Sequence, residues 1–253
     1  MDKAVGVLER SRMIVQEVLA SLPTGMSVAG CAAATGLPRT TVHRLVTDLE
    51  SVGILARSGK VWVLGPGART LAAHAPMEFP DVSRLRRPAQ QLADVSSFSV
   101  YVTVMSFGRC YYLLRADGDT PIRIFNVEVG EYKRFGESFA GVALLSTLSR
   151  TRQDNEIATI YASPPPFLDA TPEQHTASIR DLLGQMDSAG WCGGSGWVHG
   201  VAGMACVVPG PEPRFAVTIS GVESLLDDAK RSALAPAMLE CAEQLVDVIG
   251  LVR

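Results

Sequence analysis

Arg39, Thr40, His43, Arg44 and Thr47 have the residue types and the spacing to touch a nucleic acid. Residues three and four apart share one side of a helix, so these side chains form a single strip of charge and hydrogen-bonding capacity. The other side reads Val42, Leu45, Val46 and Leu49, the i, i+3, i+4, i+7 spacing of one buried stripe. A helix gripped from one side, with donors on the other and at its N-terminal end, has the geometry that enters a DNA major groove.

The flanking residues supply what must hold such a helix. Gly36 stands where a preceding helix has to stop, and Pro38 where the next can start without the N–H that proline lacks. Ser27 is placed to cap the preceding helix through its hydroxyl. After the second helix, Leu55-Ala-Arg57, Ser58-Gly-Lys60 and Val61-Trp-Val-Leu64 spell a β-ribbon with a glycine turn and Lys60 at its tip. This is a wing that brings Lys60 to a phosphate backbone. Helix 1 is predicted over Val7 to Leu22, with Leu8, Ser11, Ile14, Val15, Val18 and Leu22 inward. The expected DNA contacts are Ser27, Arg39, Thr40, Thr41, His43, Arg44 and Lys60.

Charge supports this placement. The chain of 253 residues carries a formal −3. Residues 1–75 hold eight Lys/Arg against five Asp/Glu, a net of +3, and residues 76–253 hold fifteen against twenty-one, a net of −6. The positive charge therefore accompanies the helix-turn-helix, where phosphate neutralisation needs it. The length suits two modest domains and the 47% hydrophobic content supports packed cores. No apolar run reaches the length of a membrane span and no signal-peptide pattern opens the chain, which predicts a cytoplasmic protein with no membrane partner. Cys31, Cys110, Cys192, Cys206 and Cys241 are odd in number and scattered, with no C-x-x-C pair. Buried free thiols are expected, and no metal site.

These residues resemble a known family. Leu8-Glu-Arg-Ser-Arg-Met-Ile-Val15, Gly36-Leu-Pro-Arg-Thr-Thr-Val-His-Arg-Leu45, the Gly53-Ile-Leu55 turn and Val63-Leu-Gly-Pro66 are similar to the N-terminal domain of the IclR family of bacterial transcriptional regulators. The resemblance implies a winged helix-turn-helix followed by a GAF-like α/β effector domain. It also implies a homodimer or dimer of dimers, with the helix 1 surface and the segment near Ala68–His74 in the dimer contact. The expected organisation is a DNA-binding domain over 1–66, a linker helix over 67–82, and an effector-binding and oligomerisation domain over 83–253.

The second domain reads as helices flanking strands, a two-sided α/β sandwich. Ser83 to Ser96, Gly141 to Ser149, Thr171 to Ala189 and Asp227 to Ile249 look helical. Ser99 to Met105, Cys110 to Arg115, Ile122 to Val127, Met204 to Val208 and Phe215 to Ser220 look like strands. The resemblance extends to Gly130-Glu-Tyr-Lys-Arg134 with Ser138, to Gly190-Trp191, to Gly200-Val201 and to Ser220-Gly-Val-Glu-Ser-Leu225. After Gly190 the family carries several acidic residues, then Arg and Cys. This chain has Cys192-Gly-Gly-Ser-Gly-Trp197, with Ala202 and Gly203 at those last two positions. The ligand chemistry of better-known relatives therefore does not transfer.

Tyr111, Tyr112, Phe135, Trp191, Trp197 and Met204 either pack in cores or line an apolar pocket, with Ser138, Arg134 and Ser220 as polar anchors. The expected effector contacts are Tyr111, Arg134, Phe135, Ser138, Trp191, Trp197, Met204 and Ser220. With charged groups missing, the effector is expected to be mostly apolar or aromatic. The glycine run 193–196 is predicted to be a mobile loop over it. An enzyme is the rival class. Gly193-x-Ser195 begins a nucleophile elbow, but Trp197 replaces its last glycine, and no Lys-Ser/Thr pair follows as a phosphate loop requires. Cys192 and His199 allow a thiolate–imidazole pair only if the fold brings them together. The expectation is a non-enzymatic, ligand-responsive regulator of a palindromic operator, with no catalytic residues and no cofactor. A DNA-binding protein whose second domain only oligomerises is the alternative.

Overall fold

The computed structural model describes residues 6–74, 82–120, 122, 127–165, 168, 170–210 and 214–250. The chain divides into two compact units, Met1–Met77 and Glu78–Arg253.

In the first unit, α1 (Val7–Ala20), α2 (Val28–Thr35) and α3 (Arg39–Ser51) precede a hairpin of β1 (Leu55–Ser58) and β2 (Val61–Leu64), and α4 (Pro66–His74) follows. The Ser27 hydroxyl accepts the Gly30 N–H at 3.1 Å and so caps α2. Gly36 ends α2 in the left-handed region, φ 70°, which other residues adopt at a cost. Ile14, Val18, Cys31, Val42, Leu45, Val46, Leu55 and Trp62 form the core. The inward placement expected of Leu8 and Leu22 is corrected: they are 86% and 40% exposed. The buried positions of α1 lie between Ile14 and Val18. Gly65 allows α4 to begin against the wing, since a Cβ there would lie 2.3 Å from the Gly53 carbonyl oxygen. The region expected to link the domains lies in part outside the described residues.

The second unit is built on one antiparallel sheet. Its strands are β3 (Ser99–Ser106), β4 (Arg109–Asp117), β5 (Tyr132–Lys133), β6 (Trp191–Ser195), β7 (Val201–Val207) and β8 (Phe215–Val222), in the order β5-β4-β3-β8-β7-β6. One face packs on α5 (Val82–Ser96) and α9 (Asp228–Gly250) through Val100, Val102, Val104, Leu114, Met204, Val217 and Ile219. The other meets α6 (Phe139–Ser146), α7 (Arg150–Ala162) and α8 (Pro172–Ala189) through Tyr101, Tyr112, Ala205 and Ala216. The chain is therefore a winged helix-turn-helix followed by an α/β sandwich.

Local features depart from the expected pattern. Helix α7 is an addition to the expected elements: it buries only Gln153, Ile157 and Ile160, too few positions to mark an apolar stripe in the sequence. The strand expected over Ile122–Val127 falls mostly outside the described residues. The glycine run is not a loop: Trp191 to Ser195 is strand β6, with Gly193 opposite Met204 and Gly194 opposite Gly203. A Cβ on Gly193 would lie 2.9 Å from both the Gly203 oxygen and the Met204 Cβ. Glycine there serves close strand packing instead of mobility. Its N–H donates to Gln185 Oε1 on α8 at 3.0 Å.

Candidate nucleic-acid interface and ligand cavity

On α3, burying Val42, Leu45 and Val46 turns Thr40, His43, Arg44 and Thr47 to solvent, with Arg39 exposed at the first turn and Thr41 half-buried. Lys60 is exposed beside Gly59, whose φ of 63° closes the wing tip. Arg57 donates to the Gly59 carbonyl at 3.1 Å and stiffens that turn. Ser27 is half-buried with its hydroxyl engaged as the α2 cap. Six expected contacts thus lie on the α3 and wing surface, and Ser27 serves the start of α2.

The second unit holds a cavity of about 260 Å³ on the face of the sheet toward α6 and α8. Strand alternation decides its lining. Tyr101 from β3, Tyr112 from β4, Val201 from β7, and Thr218 and Ser220 from β8 supply the sheet side. Ser138 and Phe139 at the start of α6, Val127, and Gly196, Trp197 and Val198 after β6 supply the rest, with Lys133 and Glu137 as the charged members. Ser138 caps α6, its hydroxyl accepting the Gly141 N–H at 3.1 Å. Trp197 lies between two rings, 5.4 Å from Phe139 and 5.0 Å from His175 and nearly parallel to both.

The electrostatics keep this wall uncharged apart from that pair. Burial raises both tyrosines above the ordinary phenol range, Tyr112 further than Tyr101, although the Ser138 hydroxyl bonded to Tyr112 opposes the shift. Both remain neutral hydroxyls near neutral pH. Burial holds His175 below the ordinary histidine value, and its Nε2–H donates to the Gly136 carbonyl at 2.8 Å. Tyr101 Oη, Thr218 Oγ1 and Trp197 Nε1 are buried and have no hydrogen-bond partner among the described residues. Each such group costs about 1–3 kcal/mol while unpaired.

Of the expected effector contacts, Ser138, Trp197 and Ser220 line the cavity. Five do not, and each has a physical reason. Tyr111 and Met204 lie one residue out of phase with the lining, and both pack with the α5–α9 side, Tyr111 also against Tyr132 at 4.8 Å. Trp191 packs on that same side. Phe135, 1% exposed, is core beneath α6. Arg134 donates to Glu137 Oε1 and to the Ser163 carbonyl, each at 2.7 Å, and is consumed in bracing that turn. Sequence reasoning missed Tyr101, Lys133, Glu137, Phe139, Val201 and Thr218. The alternation of Ser99–Met105 contained the signal for Tyr101, since its parity differs from that of the valines around it.

Cys192 is fully buried and burial pushes its thiol up to about 12, opposing the thiolate a nucleophile needs. Among the described residues, no three His, Cys, Asp or Glu side chains are grouped to hold a metal.

Comparison with known proteins places this geometry. Residues 5–59 match the IclR helix-turn-helix domain. The chain is 22% identical over 257 residues to the HTH-type transcriptional regulator BhcR of Paracoccus denitrificans, covering 97% of this chain and 85% of that protein. It is 24% identical over 148 residues to SauR of Cupriavidus necator, named a probable transcriptional regulator, and that match spans 58% of each protein. Among solved structures, an IclR-type regulator from Silicibacter sp. TM1040 has TM-score 0.71 at 18% identity, covering 97% of this chain and 96% of that one. An IclR homolog of Microbacterium hydrocarbonoxydans, crystallised with 4-hydroxybenzoate, has TM-score 0.53 at 18% identity, covering 97% and 100%. At these identities the structural likeness establishes the fold.

Proposed function

We propose that this chain, an IclR-family transcriptional regulator by its N-terminal domain and its fold, grips a palindromic operator through α3 and the wing and changes that grip when a small molecule fills the cavity. The observation that carries the DNA half is the exposed strip of α3, five polar side chains on a helix whose opposite side is locked into the core. The cavity supports the ligand half, as does the aromatic acid held by a protein of the same fold. Arg39, Thr40, Thr41, His43 and Arg44 meet base edges and phosphates, and Lys60 meets the backbone. A single α3 reads too few base pairs for genomic specificity, so a homodimer or dimer of dimers presents paired copies to half-sites about one helical turn apart or a multiple of it. A ligand shifts the equilibrium only by binding one arrangement better than the other. This reading takes the protein as a cytoplasmic binding protein and not an enzyme. Its relatives' names as regulators support that, and no helix among the described residues is long and apolar enough to cross a membrane.

DNA selected from a random library by the purified protein provides the test. Arg44→Ala should weaken binding to the selected sequence by about 1–3 kcal/mol and relax preference at one position. Lys60→Ala should weaken all sequences alike and lower the salt slope by about one unit. Unchanged binding by both variants would remove the interface, and a monomer that binds the full site as one unit would remove the paired assembly.

A further inference from the structure

Strand alternation puts Val201, Gly203 and Ala205 of β7 on the side of the sheet toward α6. Val201 lines the cavity and Ala205 joins the core under α6, whereas Gly203 brings no side chain of its own. The Phe139 ring takes its place. A Cβ on Gly203 would lie 2.6 Å from Phe139 Cδ2 and 3.0 Å from its Cε2, well inside carbon–carbon contact. Phe139 is the first residue of α6, whose start the Ser138 cap fixes. Its ring also stacks on Trp197, with centroids 5.4 Å apart and planes at 21°. Phe139 is 7% exposed and lines the cavity.

This seat belongs to Gly203 and not to its neighbour across the strand pair. A Cβ on Gly194 of β6 would meet nothing within 4 Å. A side chain at 194 therefore displaces nothing, whereas one at 203 must lift the Phe139 ring off the sheet. Trp197 already covers one face of that ring, so the lifted ring moves toward the open volume that both rings border. Removing the ring does the opposite and adds its volume to the cavity. The volume decides what fits. About 260 Å³ holds roughly nine non-hydrogen atoms, each taking the 30 Å³ or so that a water molecule takes in the liquid. That is one ring with a small substituent, and less than two fused rings.

We propose that Phe139, seated on Gly203, sets the size of the compound this cavity admits, so that it takes molecules of one ring and rejects two fused rings. Gly203 is a positioning residue, acting through the ring that lies on it. This rests on the reading of the cavity as the effector site and names the size class of ligand that site takes.

Benzoate and 2-naphthoate carry the same head group and differ by one fused ring, so the ratio of their affinities reports size. Titrated into the intact protein by thermal shift and calorimetry, benzoate should bind about tenfold more tightly or better. Phe139→Ala should reverse that preference. Phe139→Leu should move it the same way by a smaller factor, and decides the matter if the alanine variant does not fold. Gly203→Ala should weaken benzoate by about tenfold, and Gly194→Ala should change neither affinity. Adding Gly203→Ala to Phe139→Ala should have little further effect, because the Cβ enters space the ring has left. A glycine needed only by the strand would keep its full effect there. Binding of 2-naphthoate to the parent as tightly as benzoate would overturn the proposal, as would a preference untouched by the Phe139 variants or a Gly203→Ala effect that persists without the ring. Absence of benzoate binding would overturn it too, and the effector reading stands if a small aliphatic compound still alters operator binding. If the two acids bind in the expected order but neither they nor a broad metabolite screen alters operator binding, the size selection stands and the effector reading fails.

Discussion

Neighbouring residues of β8 belong to two different materials. Val217 and Ile219 enter a packing layer against α5 and α9 together with Val100, Val102, Val104, Leu114 and Met204. Thr218 and Ser220, one residue away on the same strand, border a cavity rimmed by hydroxyls and rings. The sheet thus separates two demands that conflict when they share a surface. Its closed face supplies the burial that holds the domain together, so its open face can carry buried polar groups that have no partner among the described residues. A site of this kind needs a stable opposite side more than it needs stability of its own.

The contrast can be broken by substitution, starting where the effect should be largest. Ile219→Ala, fully buried on the closed face, should cost about 2–5 kcal/mol, read as a lower urea midpoint at constant slope. A pair of glycines comes next. Gly221→Ala would bring a Cβ within 2.4 Å of the Phe98 ring on the closed face, and Gly203→Ala within 2.6 Å of the Phe139 ring beside the cavity. The first should cost about 1–3 kcal/mol. The second should cost less, because Phe139 can yield into open space, and should weaken ligand binding by narrowing the cavity. Equal losses of stability would show that the open face is packed as rigidly as the closed one.

A smaller effect concerns His175. Its folded pKa lies below its unfolded value because burial disfavours the imidazolium, so the unfolded chain takes up the proton first. The stabilisation is complete above the unfolded value of about 6.5 and is lost as pH falls through the folded one. Chemical denaturation between pH 7.5 and pH 5 should show stability declining toward acid, and His175→Gln should flatten that slope. A parallel slope in the variant would assign the decline to other groups. Smallest of all, Thr218→Val should leave the unliganded protein unchanged or raise its stability by about 1 kcal/mol, since no partner is lost. A penalty near that of Ile219→Ala would erase the distinction between the two faces.

The two units differ in how far their sequences disclose them. Everything that makes the α3 strip lies within thirteen consecutive residues, so its helical period is readable directly, and the Ser27 cap and Gly36 stop of α2 lie within the twelve residues before it. The cavity is assembled from residues more than a hundred positions apart, and a strand residue faces it or turns its back according to parity alone. Tyr111 and Tyr112 are indistinguishable by type, and the pattern around them is irregular. A register shift at Val102/Thr103 pairs Val102 with Leu114 and Thr103 with Tyr112. The extra residue, Leu113, switches the face of everything beyond it, and Leu113 and Leu114 both join the closed side. Counting alternation from either end of β4 therefore fails across that point. The glycine run misled for a related reason. Low strand propensity suggested a loop, whereas the close approach of Gly193 to the Gly203 carbonyl and the Met204 Cβ makes glycine a requirement at that position of the strand.

That strand also closes the sheet on one side. Among the described residues β6 pairs only with β7, and an unpaired backbone row is an open template onto which another extended chain can add. Here the Gln185 side chain accepts the Gly193 N–H, occupying one rung of that template from within the same molecule. Gln185→Ala would vacate the rung without touching either core or the cavity, so its signature belongs to colloidal behaviour: a protein that folds and binds as before but leaves solution sooner as its concentration rises.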